Sequence, residues 1–336
     1  MDKNKKILVV GAGGFIGGHL VKKLIENGNE IIATDIKPRE FWFQDFENVE
    51  NLYSMDMKID ENCKKVTQNV DYVFNMACNM GGMGFIENNK TDCMLSVLIN
   101  TNLLRACVEN SVSKYFFSSS ACAYNINKQQ NVFIEGLKEE DAYPAFPEDG
   151  YGWEKLFSER MCRHFMEDYG LEVRIARYHN IYGPLGTFDG GREKAPAALC
   201  RKVAKSIIEK NSNIDVWGDG EQTRTFLYID DCIEGTLRLF ESNFSEPLNI
   251  GSDEQVSINQ MIDILEKITN SPKLNRNYQL DKPKGVRGRS SNNELSKKVL
   301  NWSYQISLHE GLKKTYKWIF DELNNRGSNL SKFTKP

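Results

Sequence analysis

The chain has 336 residues, of which 40% are hydrophobic and 26% are charged, and its net charge at pH 7 is −3. This length and apolar content suit one large or two smaller globular domains with a real core. The small net charge argues against a general attraction to nucleic acid or to an anionic membrane. No segment approaches the ~20 apolar residues that span a bilayer, and five glycines interrupt the apolar run near the N-terminus. We therefore expect neither a membrane span nor a signal peptide.

Eight cysteines and four histidines are spread along the chain. No two cysteines form a C-x-x-C pair, and no group of these residues has the spacing of metal ligands. We therefore expect no metal site. We also expect reduced thiols that mostly pack in the core, and a cytoplasmic location.

Apolar strands alternate with helical periods through the first half of the chain. The predicted helices are Phe15–Glu26, Glu61–Gln68, Asp92–Asn110 and Gly150–Tyr169. The predicted strands are Lys6–Gly13, Glu30–Asp35, Asn51–Asp56, Asp71–Ala77, Lys114–Ser120 and Glu172–Tyr178. Continuous apolar strands separated by helices predict an α/β fold, a Rossmann-type doubly wound parallel sheet covered on both faces.

After Asn180 this rhythm breaks, and loops rich in glycine, proline and charge precede a smaller α/β lobe. We predict a Rossmann domain over residues 1–180, to which segments near 225–252 return, and a second lobe over 181–330. The predicted elements of the second half are short strands at VWG and PLNIG and helices at Asn259–Thr269, Asn293–Leu300 and Leu308–Asn324. From about Asn325 we expect a frayed end.

The motif GAGGFIG stands directly between a predicted strand and a predicted helix. Glycines at this turn let the backbone approach a pyrophosphate, and the helix N-terminus offers free N–H groups. A carboxylate at the end of the next strand accepts hydrogen bonds from ribose hydroxyls and repels a 2′-phosphate, which favours NAD over NADP. The predicted cofactor residues are Gly11, Gly14, Phe15, Ile16, Gly17, Asp35 and Asp56, the last also interpretable as a strand-end cap. The alternative is a tight turn without a ligand.

Tyr151 and Lys155 are four residues apart on a predicted helix and therefore share one face. A nearby ammonium lowers the pKa of a phenol, so we expect Tyr151 to serve as a base near neutral pH. Asp149 is the expected N-cap of this helix. The alternative interpretation is a solvated helix face.

Together with the serine-rich end of the strand at Ser120, this pair resembles the extended branch of the short-chain dehydrogenase/reductase superfamily. RYHNIYGP, RTFLYIDD and LNIGS resemble further segments of that branch, which mostly handles nucleotide sugars. The resemblance implies that Ser120, Tyr151 and Lys155 oxidise a hydroxyl-bearing carbon with NAD. It also implies that Lys155 binds the nicotinamide ribose.

Five loops are similar to those of the GDP-mannose 3,5-epimerases within this branch, namely MGGMGF, SSSAC, REKAPAA, GDGEQTRTF and GVRGR. A ketone at C4 makes the hydrogens on C3 and C5 acidic, and inversion needs one proton-transfer group on each side of the ring. The resemblance implies that Cys122 and Lys194 are these groups. Taken alone, Cys122 also fits a packed core thiol and Lys194 a solvated lysine.

The resemblance implies a GDP-hexose substrate, with GDP-L-galactose as the product and GDP-L-gulose as another possible one. The implied hexose contacts are Gly81, Ser120, Cys122, Asn180, Glu193, Lys194 and Ala195, and the implied GDP contacts are Lys202, Gln222, Thr223, Arg224 and Arg289. A lysine base requires a lowered pKa, for which we expect partial burial or the charges of Arg192 and Arg201. The alternative interpretation of Arg287 and Arg289 is that both are surface charges without a role in binding GDP. The resemblance further implies a homodimer that pairs the helices near Asp92–Asn110 and Gly150–Tyr169.

Some residues depart from that family's pattern. Met76, Cys78 and Asn79 stand where leucine, alanine and aspartate are expected, and Ala123 replaces an isoleucine. Two alternatives therefore stay open within the superfamily, a 4-epimerase and a 4,6-dehydratase. A third alternative, of another class, is a non-catalytic NAD-binding sensor or RNA-binding protein on the same fold.

Overall fold

The computed structural model describes residues 5–47, 49–325 and 331–334. The first part alternates strands and helices: β1 (Lys6–Val10), α1 (Phe15–Glu26), β2 (Glu30–Thr34), β3 (Glu50–Leu52), α2 (Asp60–Val66), β4 (Tyr72–Asn75), α3 (Met83–Asn88), α4 (Lys90–Met94), α5 (Val97–Glu109), β5 (Lys114–Ser120), α6 (Tyr151–Tyr169) and β6 (Glu172–Tyr178). The second part contains β7 (Ile181–Tyr182), α7 (Ala195–Ile208), β8 (Asn213–Trp217), β9 (Thr223–Arg224), β10 (Leu227–Tyr228), α8 (Ile229–Glu241), β11 (Leu248–Ile250), β12 (Val256–Ser257), α9 (Ile258–Thr269), β13 (Asn275–Gln279), α10 (Glu294–Leu300), α11 (Leu308–Asn324) and α12 (Ser331–Thr334).

A parallel sheet forms the centre of the molecule. Within the described residues it has seven strands in the order β11-β6-β5-β4-β1-β2-β3. The strand order reverses between β1 and β4, and this topological switch point is where doubly wound sheets bind their ligands. The fold class predicted from the sequence is confirmed.

The two faces of the sheet bury separate cores because side chains alternate along each strand. In β1, Ile7 and Val9 point to one core, whereas Leu8 and Val10 point to the other. Helices α1 and α8 cover the first face, and α2, α5 and α6 cover the second. The continuous apolar runs in the sequence follow from this burial on both sides.

The second half is built around α7, α9 and α11, which pack against one another. Beside them β13 pairs in parallel with β8, and β12 pairs antiparallel with β9. α7, α8 and β13 were not predicted from the sequence. β11 pairs with β6 and thus belongs to the central sheet, while the division of the chain into two lobes stays a prediction.

Several predicted bounds need correction. The helix predicted over Asp92–Asn110 is two helices, α4 and α5. The third strand is shorter than predicted because it ends at Leu52, and Ser54 then adopts a φ of 56°. Asp149 is not a cap, since Gly150 holds the N-cap position and Asp149 pairs with Lys90 at 2.7 Å.

The expectation of a frayed end is wrong for α12. Phe333 on this helix is 3% exposed and packs against Phe43, Phe188 and Trp318. Residues 326–330 and 335–336, which the same expectation covered, lie outside the described part of the chain.

Candidate active site

A cavity of about 660 Å³ opens at the carboxyl edge of the sheet, beside the switch point. Ten of the predicted site residues line it: Gly11, Gly14, Phe15, Ile16, Gly17, Asp35, Asp56, Ser120, Tyr151 and Lys194. The other predicted residues do not line this cavity: Gly81, Cys122, Lys155, Asn180, Glu193, Ala195, Lys202, Gln222, Thr223, Arg224 and Arg289. The site therefore has a cleft and a polar region next to it.

Two glycines shape the floor of the cleft by close approach of the backbone. Gly11 has a φ of +84°, and a Cβ atom there would lie 2.8 Å from the backbone nitrogen of Ala77. A Cβ atom on Gly17 would lie 2.1 Å from the carbonyl oxygen of Gly11. No side chain fits at either position, so the turn and the first N–H groups of α1 stay open toward the cavity.

Two carboxylates follow β2 and β3 at the far wall of the cleft. Asp35 is 7% exposed, and its Oδ1 accepts a hydrogen bond from the backbone N–H of Lys37 at 2.9 Å. Burial raises the pKa of Asp35, although the charge of Lys37 opposes this shift. Asp56 lies in the turn before α2 rather than at the end of a strand, and its Oδ1 accepts from the N–H of Lys58 at 2.9 Å.

Tyr151 and Lys155 both face inward from the first turns of α6. They are 4% and 1% exposed, and Lys155 Nζ lies 5.4 Å from the centroid of the Tyr151 ring. The alternative of a solvated helix face is therefore wrong. Within the described residues Lys155 Nζ makes no hydrogen bond, and its nearest acidic atom is Glu154 Oε2 at 3.4 Å. Lys155 is therefore a buried ammonium that forms an ion pair with its neighbour on the helix.

The protonation state of Tyr151 differs from the expectation. Burial raises the pKa of Tyr151 well above its ordinary value, and Cys78, Cys122 and Glu154 add to this shift, while a hydrogen bond with Ser120 opposes it. We expected Lys155 to lower the pKa of Tyr151, and this expectation is wrong. Burial disfavours the charge of Lys155, but Cys78 and Glu154 outweigh it and raise the pKa of Lys155.

A buried ion pair fixes α6 against the sheet. Arg177 on β6 donates from Nε and Nη2 to the two carboxylate oxygens of Glu159 at 2.8 and 2.7 Å. Ser119, at the end of β5, donates its hydroxyl to the same carboxylate. Because Ser119 precedes Ser120 and Glu159 is on the helix of Tyr151, this network sets the spacing between the catalytic candidates.

Cys122 occupies a short turn directly after β5. It is 8% exposed, and its backbone N–H donates to Ser120 Oγ at 3.2 Å. Its Sγ lies 3.5 Å from Arg289 Nη1. Burial, with Glu148 adding to it, raises the pKa of Cys122 to about 11, although Arg289 opposes the shift.

Arg289 is 3% exposed, so the alternative of a surface charge is wrong for it. Its Nε donates to Gln129 Oε1 at 2.6 Å and its Nη2 donates to Glu148 Oε1 at 2.6 Å. The sequence analysis missed both Gln129 and Glu148. Nothing in the motif PEDGYG distinguishes a buried glutamate from an exposed one, because only the tertiary fold brings Arg289 to it.

Lys194 is the N-cap residue of α7 and is half-buried. Burial lowers the pKa of Lys194; the nearby Cys122 and Cys78 oppose this shift, and Arg289 adds to it. The expected charges were Arg192 and Arg201. Instead, Arg192 donates to Asn79 and the carbonyl oxygen of Met80, and Arg201 pairs with Glu193 and Asp189. No hydrogen-bond or ion-pair partner of Lys194 Nζ is found in the described residues.

The loops that carry Gly81 and Lys194 lie against each other. The N–H of Gly82 donates to the carbonyl oxygen of Arg192 at 3.0 Å, and a Cβ on Gly82 would lie 2.4 Å from the carbonyl oxygen of Glu193. The Arg192 guanidinium stacks 3.8 Å above the ring of Phe85. The loops MGGMGF and REKAPAA therefore form one wall, and Ala195 in the second loop is the first residue of α7.

Four of the predicted nucleotide contacts form a polar region on β9, the residue before it and the segment after β13, namely Gln222, Thr223, Arg224 and Arg289. The backbone N–H of Arg289 donates to the carbonyl oxygen of Thr223 at 3.1 Å, which places the two segments side by side. Burial, with Arg289 adding to it, lowers the pKa of Arg224 to about 10. Gln222 donates to the carbonyl oxygen of Trp217, and its own Oε1 is buried without a hydrogen bond from any described residue.

Two of the predicted substrate contacts, Lys202 and Asn180, donate hydrogen bonds to backbone carbonyl oxygens. Lys202 Nζ donates to the carbonyl oxygen of Asp215 at 2.7 Å. Asn180 has a φ of 47°, and its Nδ2 donates to the carbonyl oxygen of Thr225 at 3.0 Å. The structure thus places Asn180 beside the polar region and directs Lys202 toward β8.

Residues 7–251 match the NAD dependent epimerase/dehydratase family. The chain belongs to this family. GDP-mannose 3,5-epimerase of Arabidopsis thaliana is 45% identical over 334 residues, which cover 98% of this chain and 87% of that protein. GDP-mannose 3,5-epimerase 1 of Oryza sativa subsp. indica is 46% identical over 319 residues, which cover 95% of this chain and 82% of that protein. The family resemblance inferred from the loops is confirmed.

Solved structures of the epimerase/dehydratase family share the fold. UDP-glucose 4-epimerase of Thermotoga maritima, with UDP-glucose, has a TM-score of 0.83 and 27% identity, covering 95% of this chain and 99% of that one. UDP-glucuronic acid 4-epimerase of Bacillus cereus, with UDP-glucuronic acid and NAD, has a TM-score of 0.79 and 26% identity, with coverage of 95% and 99%.

The cleft of this epimerase/dehydratase family member fits NAD. The glycine turn closes tightly onto the N-terminus of α1, whose first residues line the cavity, and the buried ammonium of Lys155 lies 5.4 Å from the ring of Tyr151. In residues 5–47, 49–325 and 331–334, no group of three or more metal-ligating side chains comes together, and no helix is long and apolar enough to cross a membrane.

Proposed function

We propose that this protein inverts C3 and C5 of GDP-α-D-mannose through a transient 4-ketone and yields GDP-β-L-galactose. The observation that carries the proposal is the convergence of Cys122, Lys194 and Tyr151 from three separate segments of the chain. A 4-epimerase has no need of the first two, since it leaves C3 and C5 untouched. The plant relatives named GDP-mannose 3,5-epimerase support the choice of substrate.

NAD, when bound, supplies a hydride acceptor and the positive charge of its nicotinamide ring. Gly11, Gly14, Gly17 and Asp35 would hold its adenosine and pyrophosphate, and Lys155 its nicotinamide ribose. Tyr151 would accept the proton of the C4 hydroxyl as a phenolate, the form that the charges of Lys155 and of the nicotinamide ring favour, and Ser120 would orient that hydroxyl. The same two side chains return the proton when the ketone is reduced.

Cys122 and Lys194 then exchange protons with the carbons beside the ketone. One group removes a proton from C3 or C5, and the other delivers a proton to the opposite face, so the carbon inverts with no net loss of hydrogen. The pKa of Cys122 is raised to about 11 and that of Lys194 is lowered. Together the two shifts favour Lys194 over Cys122 as the proton acceptor and Cys122 as the donor.

The remaining predicted contacts would fix the substrate. Gly81, Glu193 and Ala195 lie on the segments around Lys194, Asn180 lies beside the polar region, and all four are assigned to the hexose. Lys202, Gln222, Thr223, Arg224 and Arg289 are assigned to GDP, and permanently charged guanidinium groups suit a diphosphate. Arg289 already donates to the carboxylate of Glu148, whereas Arg224 donates, within the described residues, only to the carbonyl oxygens of Thr223 and Lys284, so Arg224 is the stronger candidate for the diphosphate.

Incubation of the NAD-loaded protein with GDP-mannose in D₂O tests this function. Inversion at both carbons brings deuterium into C3 and C5, which NMR detects together with the galactose configuration. Deuterium at only one carbon would restrict the reaction to a single inversion, such as the one that gives GDP-L-gulose. A product changed only at C4, with C3 and C5 still protonated, would establish a 4-epimerase instead. NAD binding without turnover of any nucleotide sugar would establish the non-catalytic alternative.

A homodimer is proposed on a different observation. Leu98 on α5 and Trp153 and Phe157 on α6 are exposed by 41%, 39% and 51% on helices that pack side by side. A second copy of the chain that covers this face would remove these apolar side chains from water. We expect light scattering to give twice the chain mass of 38.5 kDa, and Phe157→Glu to give monomers. Phe133→Glu, which changes an exposed phenylalanine elsewhere, is the matched control. The cytoplasmic location stays a prediction.

A further inference from the structure

Glu148 is a buried carboxylate that the proposed reaction leaves without a role. It is 8% exposed and lies in the segment that leads into α6. Its backbone N–H donates to the carbonyl oxygen of Cys122 at 3.1 Å, so the two residues are tied together independently of their side chains. A Cβ on Gly152 would lie 2.3 Å from the same carbonyl oxygen, which shows how closely α6 approaches Cys122.

The Glu148 side chain acts on the Cys122 thiol directly and also holds Arg289 against it. Glu148 Oε1 accepts from Arg289 Nη2 at 2.6 Å, while Arg289 Nη1 lies 3.5 Å from Cys122 Sγ. Gln129 accepts from Nε at 2.6 Å and fixes the third edge of the guanidinium. Glu148 Oε2 is buried and accepts no hydrogen bond from any described residue. One carboxylate oxygen is thus committed to Arg289, and the other is unpartnered in the same cluster.

We propose that Glu148 is a positioning residue, which holds Arg289 against the Cys122 sulfur and keeps that sulfur in its protonated form. This inference rests on the proposed function for its consequence in catalysis, but not for its physical basis. The Arg289 charge alone would favour a thiolate, because a cation within contact distance stabilises the charged sulfur. The Glu148 carboxylate cancels that charge, so Cys122 meets the ketone as a proton donor. After donation, the same guanidinium stabilises the thiolate that is left.

Charged and titratable groups approach Cys122 from every neighbouring segment, and they must be considered together. They are Cys78 after β4, Cys93 on α4, Glu148 and Tyr151 at α6, Lys194 at α7, Arg224 on β9 and Arg289 after β13. Arg289 holds the pKa of Glu148 below its usual range against the effect of burial, and Cys122 and Arg224 act in the same direction. Glu148 is therefore a carboxylate at neutral pH and contributes a full negative charge.

The thiolate absorbance of Cys122 tests the inference without any substrate. The difference in ultraviolet titration between each protein and its own Cys122→Ser counterpart isolates this one thiol. In the native protein we expect little thiolate between about pH 6 and about pH 10, since the pKa of Cys122 is raised to about 11. In Glu148→Gln, removal of the negative charge lowers the midpoint by about one to three pH units. An unchanged or higher midpoint in Glu148→Gln would overturn the inference.

Three further variants separate charge from packing. Glu148→Asp keeps the charge, so its midpoint remains near that of the native protein, and a fall as large as that of Glu148→Gln contradicts the inference. Glu87→Gln removes a carboxylate close enough to affect Glu148 but not bonded to Arg289, and it leaves the midpoint unchanged. If Glu148→Gln does not fold, Glu148→Gln/Arg289→Gln removes both charges of the pair and leaves the midpoint near its native value. A large shift of the Cys122 midpoint in that double variant would contradict the proposal that the Glu148 charge cancels the Arg289 charge.

The functional readout distinguishes the two proposals. If the protein inverts C3 and C5, Glu148→Gln shifts the pH dependence of deuterium incorporation to lower pH, with little change in KM. A shifted thiol titration without any inversion in the native protein leaves this inference standing and removes the proposed function. If the native protein inverts C3 and C5 but Glu148→Gln does not shift the thiol titration, the proposed function stands and this inference is removed.

Discussion

The sulfur of Cys122 lies 3.5 Å from Nη1 of Arg289, a residue 167 positions further along the chain. This contact joins the end of β5 to a segment of the second half of the chain. It places a permanent positive charge beside the thiol that is proposed to exchange protons with the sugar. Since Arg289 is also bonded to Glu148 and Gln129, its guanidinium is fixed on three sides.

Cys122→Ser should abolish inversion while it leaves the oxidation of C4 intact. The hydroxyl of serine is too weak an acid to replace the thiol, but it does not disturb Tyr151 or the cleft. We expect GDP-mannose to reduce bound NAD transiently, with no deuterium at C3 or C5 in D₂O. Cys107→Ala, a buried cysteine on α5 outside the site, is the control and should retain turnover. Native turnover in Cys122→Ser would refute the assignment.

Tyr151→Phe should block the first step. The phenyl ring keeps the packing, but the C4 hydroxyl loses its proton acceptor, which lowers turnover about 10²- to 10⁴-fold. The appearance of NADH absorbance on addition of GDP-mannose measures this step directly. Tyr115→Phe removes another buried hydroxyl, one that donates to Asn100 at 2.8 Å. That control should lose stability without losing the reduction of NAD.

Glu159→Ala should strongly destabilise the fold, because it leaves the Arg177 guanidinium buried without its bidentate partner. Breaking a buried pair in this way costs about 3–5 kcal/mol in the free energy of unfolding. Chemical denaturation measures the loss. Glu167→Ala removes a carboxylate from the same helix that pairs with Arg163 at the surface, where solvent screens the pair, and it should cost far less. Equal losses in the two variants would contradict the structural role of Glu159.

His179 should make the protein less stable as the pH falls. It is fully buried, its Nε2 bonds to Asn249 Oδ1 at 2.8 Å, and burial lowers its pKa to about 3. His179 therefore binds a proton below about pH 6.5 in the unfolded chain, but only below about pH 3 in the folded chain. This difference costs about 1.4 kcal/mol for each pH unit below 6.5.

The check is the pH dependence of the unfolding free energy in the native protein and in His179→Asn. We expect a shallower decline between pH 6.5 and pH 4.5 in the variant, about 1.4 kcal/mol less per unit. His164→Asn changes an exposed histidine on α6 and should follow the native protein. A native-like slope in His179→Asn would show that other groups control the acid limb.

The elements with strong local patterns were predictable. α1, β5, β6 and α11 begin and end at the predicted residues, because their apolar spacing and end signals agree with their tertiary burial. α7 was missed because it follows a loop rich in glycine and charge, and β13 because its residues are polar and pair with only one neighbour. α4 and α5 were merged because the break between them has no proline or glycine.

The residues of the candidate site likewise divide into those that local motifs predicted and those that they did not. The glycine turn, the Tyr151–Lys155 pair, and the residue types at 122 and 194 were visible in short motifs, each of which lies on one continuous segment. Glu148 and Gln129 were invisible because both contact Arg289, which is distant from them in the sequence. The predicted direction of the Tyr151 pKa shift was also wrong. The motif suggested that the Lys155 ammonium lowers this pKa, but burial of the phenol raises it.

The amino-acid sequence by itself determined the doubly wound sheet, the place of the dinucleotide cleft and the family, because these depend on local periodicity and on motifs a few residues long. Only the tertiary structure decided which charges surround the thiol and the amine, and therefore which of them holds a proton. The reason is physical: the strength of a charge interaction depends on distance and burial, and neither is set until segments from both halves of the chain pack together.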